Sequence, residues 1–312
     1  MMNVVWRLLR FSLLATACTS VPPHARVVDA SFQWRSTDWA SGHLHSVNIF
    51  SPNGKDPRQL ISRSVPAAGK LLPLGYMITD TPIEGMSGKT GRPASNAFLV
   101  SPCYALAVYH GIFGARINRP LQEYPVKIWL GDGALSNGFR YSITAQPIRI
   151  HERAGNDRNG LVLMQLEQCA GKRLGWVSLL LSGDQAMVGR TVSMASYSLD
   201  LPLTSIAYQP TCSIRARDTI SGFLLHDCAS MPGSSGGVIF SMISGEVFAV
   251  AANWGAATMR RGLLERYTHQ DASLAVGFDM LKETPDIINI INDDIAAFKG
   301  NNPAKAASGN RT

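Results

Sequence analysis

From residue 94 onward the chain alternates short apolar runs with turn-forming residues. Candidate strands are Ala97–Ser101, Tyr104–Tyr109, Val126–Leu130, Tyr141–Thr144, Ile148–Ile150 and Leu161–Leu166. A second series comprises Thr191–Ser196, Cys212–Ile214, Gly222–His226, Gly237–Ser241 and Val247–Ala252. Gly, Pro, Asn and Asp separate these runs at the spacing of an all-β barrel or sandwich. The Gly-containing, basic stretch Cys169–Trp176 reads as the link between the two series. After Pro285 the apolar period changes. Ile287, Ile288, Ile291, Ile295 and Phe298 share one helical face, which predicts a closing helix over 283–299. The polar residues 300–312 read as a disordered tail.

Upstream the pattern differs. Residues 18–92 carry Pro22-Pro23, Pro52-Asn53-Gly54 and only brief apolar clusters such as Leu71-Leu72-Pro73-Leu74. They read as a pro-segment or loose extension. Before them, Arg7 and Arg10, the apolar Phe11–Leu14 and the small residues Ala15 and Ala17 predict an export signal over 1–17. A buried amphipathic N-terminus is the alternative. Leu14-Ala15-Thr16-Ala17-Cys18 also resembles a bacterial lipobox, leaving a lipid anchor at Cys18 open. His43 and His45 form an H-x-H pair with no third ligand nearby, so a solvated loop is favoured over a metal site. No metal and no organic cofactor are expected.

Composition narrows the class. Of 312 residues, 46 % are hydrophobic and 16 % charged, an ordinary globular balance. No run of eighteen apolar residues occurs, which argues against a polytopic membrane protein. The net charge of +7 raises nucleic acid as a partner, but its location does not support that. Residues 1–92 hold 10 − 5 = +5 of it, and residues 93–312 only 19 − 17 = +2. Five cysteines without CxxC spacing exclude a disulfide-built scaffold. Setting Cys18 aside, Cys212 and Cys228 flank a candidate hairpin, and Cys103–Cys169 is the pair left by elimination. Buried free thiols are the alternative, and geometry decides.

Two stretches carry chemistry. Pro232-Gly233-Ser234-Ser235-Gly236-Gly237 leads into the apolar Val238-Ile239-Phe240. A serine hydroxyl becomes a useful nucleophile when its backbone is held tightly and amides face the developing oxyanion. The flanking glycines permit such a turn, and the amides of Gly233 and Ser235 could form the hole; a flexible turn is the bland alternative. The other stretch is Ala97-Phe98-Leu99-Val100-Ser101-Pro102 followed by Tyr104-Ala105-Leu106-Ala107-Val108-Tyr109-His110. It places a histidine at a strand end.

Together these stretches resemble the chymotrypsin-fold serine peptidases, most nearly the trypsin/V8-type bacterial secreted enzymes, over about residues 90–282. That resemblance implies two six-stranded antiparallel β-barrels over 93–282, followed by the C-terminal helix. It implies Ser235 as nucleophile, His110 as general base, and an aspartate just before the apolar strand Leu161–Leu166. Strict register puts Gly160 at the aspartate position. Asp157, 47 residues after His110, is the preferred third member, with Asn159 as alternative and no local carboxylate as a further one. Ala229, six residues before Ser235, with Ser230, falls at the primary substrate pocket. Asn253-Trp254-Gly255 resembles the pocket wall that pairs with extended substrate. Neither basic nor acidic specificity is supported, and a neutral pocket for small or apolar side chains is expected. His226 and His151 read as surface or satisfied core residues.

The function expected from these residues is a secreted or periplasmic serine endopeptidase, a monomer acting on protein or peptide substrates without nucleic acid or a transmembrane span. A catalytically impaired member of the same fold, serving as an extracytoplasmic binding module, is the rival.

Overall fold

The computed structural model describes residues 27–28, 49–50, 53–62, 71, 73–79, 94–113, 117, 119–130, 141–153, 156–181, 184–203, 205–219, 221–256, 263–264 and 266–301. The expectations for the export signal over 1–17, Cys18, His43, His45 and most of the tail over 300–312 lie outside the described residues.

Strand pairing closes two six-stranded antiparallel barrels. In the first, Leu74–Thr79 pairs with Ala94–Leu99 and with Val126–Leu130. The ring continues through Tyr104–Val108, Asn156–Leu166 and Tyr141–Arg153. In the second, Ser205–Arg217 pairs with Thr191–Ser196 and onward through Val238–Ile243, Glu246–Ala256, Ser273–Gly277 and Leu224–His226. The return pairing of Leu224–His226 with Ser205–Arg217 completes that ring. This is the chymotrypsin-type architecture the resemblance implied.

The apolar runs follow from this arrangement. Side chains alternate across a strand, and here both faces are covered. Ala105, Ala107 and Tyr109 point into the first barrel with Val162, Met164 and Leu166. Leu106 and Val108, with Leu161 and Leu163, point outward into a core shared with Ala195, Val238 and Phe240 of the second barrel. Met194, Ile214, Ile239 and Ala251 fill the second barrel's interior. A strand buried on both faces reads as a continuous apolar run, because neither set of alternate positions meets water.

Several boundaries differ from the sequence reading. Tyr141–Thr144 and Ile148–Ile150 are parts of a single strand, Tyr141–Arg153, that continues past Pro147 with a register shift. The sixth strand of the first barrel is Leu74–Thr79, inside the region set apart as a loose extension, so the barrel begins near residue 74 and not at 93. In the sequence Leu71-Leu72-Pro73-Leu74 reads as a brief apolar cluster, and with Pro73 and Gly75 interrupting it the strand carries no clear alternation. Ser273–Gly277, also unforeseen, is the second barrel's sixth strand. Gln59–Ser62 adds to the outer edge of Ser205–Tyr208. Beside it Arg58 is buried and bonded to both Asp56 and Asp200, at 2.6 Å each. Burial works against the Arg58 charge, but the two carboxylates outweigh it and hold the guanidinium firmly protonated.

Both cysteine pairs form disulfides, Cys103–Cys169 and Cys212–Cys228. The helix Pro285–Asn301 lies on the shared core through Ile287 and Ile291, and Phe298 meets Trp176 edge-on at 5.6 Å. Asp294 on that helix accepts from Ser101 Oγ at 2.6 Å and from the Cys103 amide at 2.7 Å. No helix among the described residues is long and apolar enough to cross a membrane.

Candidate active site

His110 stands where the strand Tyr104–Val108 gives way to the helical turn His110–Phe113. Ser235 lies in the turn that enters Val238–Ile243. One comes from each barrel, 125 residues apart in sequence, and His110 Nε2 is 2.9 Å from Ser235 Oγ.

The turn around Ser235 is tightly built. Gly233 and Gly236 have φ of 84° and 78°, a region glycine occupies without a Cβ penalty. The Ser234 amide donates to Met231 O, that of Gly236 to Asn253 O, and that of Gly237 to Ser234 O. The amides of Gly233 and Ser235 donate to no acceptor among the described residues. These are the two amides expected at an oxyanion hole, and unspent donors are what such a site needs.

The proton on Ser235 has two destinations. Its hydroxyl lies 3.0 Å from the Trp254 carbonyl, to which it donates, as well as 2.9 Å from His110 Nε2. A hydroxyl carries one proton. When that proton points to Trp254, Oγ must accept from a protonated Nε2, and both bonds are made. When it points to Nε2, the Trp254 bond is given up and the imidazole proton sits on Nδ1. Among the described residues, the buried Nδ1 of His110 has no hydrogen-bond partner. The first arrangement makes one more hydrogen bond, about 1 kcal/mol net. Among the described residues the better-bonded tautomer is therefore the one with its proton on Nε2.

The third member of a triad would reverse this preference by accepting from Nδ1. Asp157 and Asn159 belong to the strand Asn156–Leu166, but their side chains lie outside the described residues. Gly160, at the register position, uses its carbonyl to accept from the Tyr109 amide at 3.0 Å. Burial lowers the His110 pKa to about 4, and no carboxylate among the described residues opposes it.

The expected pocket residues divide. Ala229 and Ser230 are buried, while Trp254 and Gly255 are partly exposed. A β-carbon added at Gly255 would meet nothing within 4 Å, which leaves that wall open. Trp254 lies edge-on to the His110 ring at 4.9 Å and 5.0 Å from the Phe223 ring. Asn253 is fully buried and its side chain is committed elsewhere: Nδ2 donates to Ser234 O, Ser234 Oγ and Ser230 Oγ at 3.0–3.2 Å. It braces the nucleophile turn from behind.

Asp227, beside this region, accepts from the Ser213 amide and pairs with Arg215, so its charge is already matched. His226 is buried, accepts from the Cys228 amide through Nδ1, and is lowered by burial to about 4. His151 is buried against Thr284 Oγ1. Both lie in the core, each with Nδ1 in a hydrogen bond. Among the described residues no group of three His, Cys, Asp or Glu side chains could hold a metal ion.

One participant was missed from the sequence. Asn96, just before the apolar run of its strand, is completely buried against the nucleophile turn. Ser95-Asn96 precede the apolar run as an ordinary polar pair, so the sequence carries no signal that singles Asn96 out.

No family model matches the chain, and no curated protein matches it. Among solved structures it is similar to the scabies mite inactivated protease paralogue S-D1, with 9 % sequence identity and a TM-score of 0.44, covering 73 % of this chain and 95 % of that one.

Proposed function

We propose that this protein is a serine endopeptidase that cleaves peptide bonds through an acyl-enzyme on Ser235. The observation that carries the reading is the 2.9 Å approach of His110 Nε2 to Ser235 Oγ, beside a turn whose Gly233 and Ser235 amides are unspent. In the reaction Ser235 Oγ attacks the scissile carbonyl while His110 takes its proton, and the oxyanion collects the two amides. His110 then protonates the leaving amine. Water, deprotonated by the same imidazole, releases the acyl group. Asp157 remains the proposed partner of His110. The open wall at Gly255, with no uncommitted charge at Ala229 or Asp227, supports small or apolar side chains at the primary pocket. Two disulfides support an exported location, because such bridges persist outside the reducing cytosol.

One observation favours the rival, an impaired relative that binds rather than cleaves. With no partner for Nδ1 among the described residues, the tautomer of His110 that donates to Ser235 makes the larger number of hydrogen bonds. A fluorophosphonate probe separates the two. Covalent labelling of the folded protein, lost in Ser235→Ala, is the result expected of the enzyme; a folded protein that stays unlabelled is a binding module.

A further inference from the structure

We propose that Asn96 is a positioning residue for the oxyanion amides, an inference that rests on the serine-peptidase reading of the site. Asn96 belongs to the first barrel, in the strand Ala94–Leu99, yet every bond of its side chain is made to the second. Its Nδ2 donates to Gly233 O at 2.8 Å, Ser235 O at 3.1 Å and Tyr197 O at 3.1 Å. Its Oδ1 accepts from the Tyr197 amide at 2.6 Å, and its own amide donates to Ser235 O at 2.6 Å.

The choice of partners is the argument. The two carbonyls gripped within the turn belong to Gly233 and Ser235, the same residues whose amides are left unspent. Because each peptide unit is planar, holding the Gly233 and Ser235 carbonyls fixes the two planes that flank the one carrying the Ser235 amide, and one of them also adjoins the plane of the Gly233 amide, so both amides lose freedom to swing. A preorganised hole needs that restriction, because donors that must reorient during the reaction lose most of their value. A carboxamide suits the position. Its NH₂ meets the three carbonyls while its oxygen takes the Tyr197 amide, leaving no buried polar atom unmatched. Aspartate would set a carboxylate against three carbonyl oxygens, and a small residue would leave them partly unmet.

A role in positioning weakens tetrahedral adducts more than ground-state complexes; a role only in folding weakens both alike. The test compares Asn96→Ala and Asn96→Ser with the unaltered chain, using thermal melting, a peptide boronic acid ending in an alanine analogue, and the matching peptide carboxamide. The expected result is a cooperative melt for at least one variant, boronate affinity reduced about tenfold or more, and carboxamide affinity within about twofold. Equal shifts for both ligands, or no shift for either, overturn the proposal. Loss of cooperative melting in both variants also overturns it, by assigning Asn96 to folding. Failure of the unaltered chain to take either the boronate or a fluorophosphonate removes the peptidase reading itself, a distinguishable outcome.

Discussion

Gly236 is pressed onto the backbone of Asn96: a β-carbon there would stand 2.0 Å from the Asn96 carbonyl oxygen. The contact joins the nucleophile turn to the first barrel. Gly245, with φ of 82°, faces open space, so it shares the backbone conformation without the contact. Gly245→Ala should cost about 1 kcal/mol, the strain of left-handed backbone alone. Gly236→Ala should cost at least about 2 kcal/mol more, because backbone cannot yield as a flexible side chain does. Urea denaturation measures both. Fluorophosphonate labelling should survive in the first and be lost in the second.

The acid limb of labelling should lie near pH 4. His110 must be neutral to accept the Ser235 proton, and burial holds its pKa at about 4 against an ordinary 6.5. Labelling rate measured against pH should stay level well below 6.5 and then fall. Gly160→Asp, which sets a carboxylate at the register position, should move the limb upward and speed labelling about tenfold or more by favouring the productive tautomer.

Folding stability should fall over the same range. His226, also held at about 4, is neutral in both states above pH 6.5, so its contribution is complete there. As pH drops from 6.5 towards 4, the unfolded chain takes up its proton first and the folded state loses ground. The loss is on the order of 3 kcal/mol for this histidine. Melting temperatures between pH 7 and pH 4 read it, and His226→Gln should flatten the slope if it folds.

The N-terminal region should prove part of the mature fold. Arg58, buried between Asp56 and Asp200, ties residues 53–62 to the loop whose Leu199 amide donates to Pro232 O, just before Gly233. Arg58→Met leaves two carboxylates facing each other and should cost about 3 kcal/mol by denaturation. Labelling should slow as well, since Leu199 Cγ lies within 2.8 Å of where a Gly233 β-carbon would sit. N-terminal sequencing of exported protein should find Arg58 and Leu74–Thr79 retained. A mature chain beginning after residue 92 would contradict this.

Much of the fold was legible because barrel strands advertise themselves when both faces are covered. Tyr104–Val108 and Leu161–Leu166 are nearly continuous apolar runs for that reason. Leu74–Thr79 was not, since Pro73 and Gly75 interrupt its apolar positions and the strand closes its barrel with residues up to 55 positions away. The closing helix was readable from five apolar positions on one face. Its anchor, Asp294 on Ser101 and Cys103, was not, because a lone aspartate carries no periodic signal.

What the sequence alone determined was the chemistry on offer: a histidine at a strand end, a serine in a glycine-framed turn, and four cysteines in two workable pairs. Local residue types and spacing suffice for these, because turns and strand ends are local. Only the tertiary structure decided that His110 and Ser235 meet, that Asn253 turns inward and that Asn96 reaches across to the other barrel. It also decided that the serine proton has a second acceptor in the Trp254 carbonyl. Each of these depends on atoms far apart in the chain brought within 3 Å or so by barrel closure, and a linear pattern does not encode such distances.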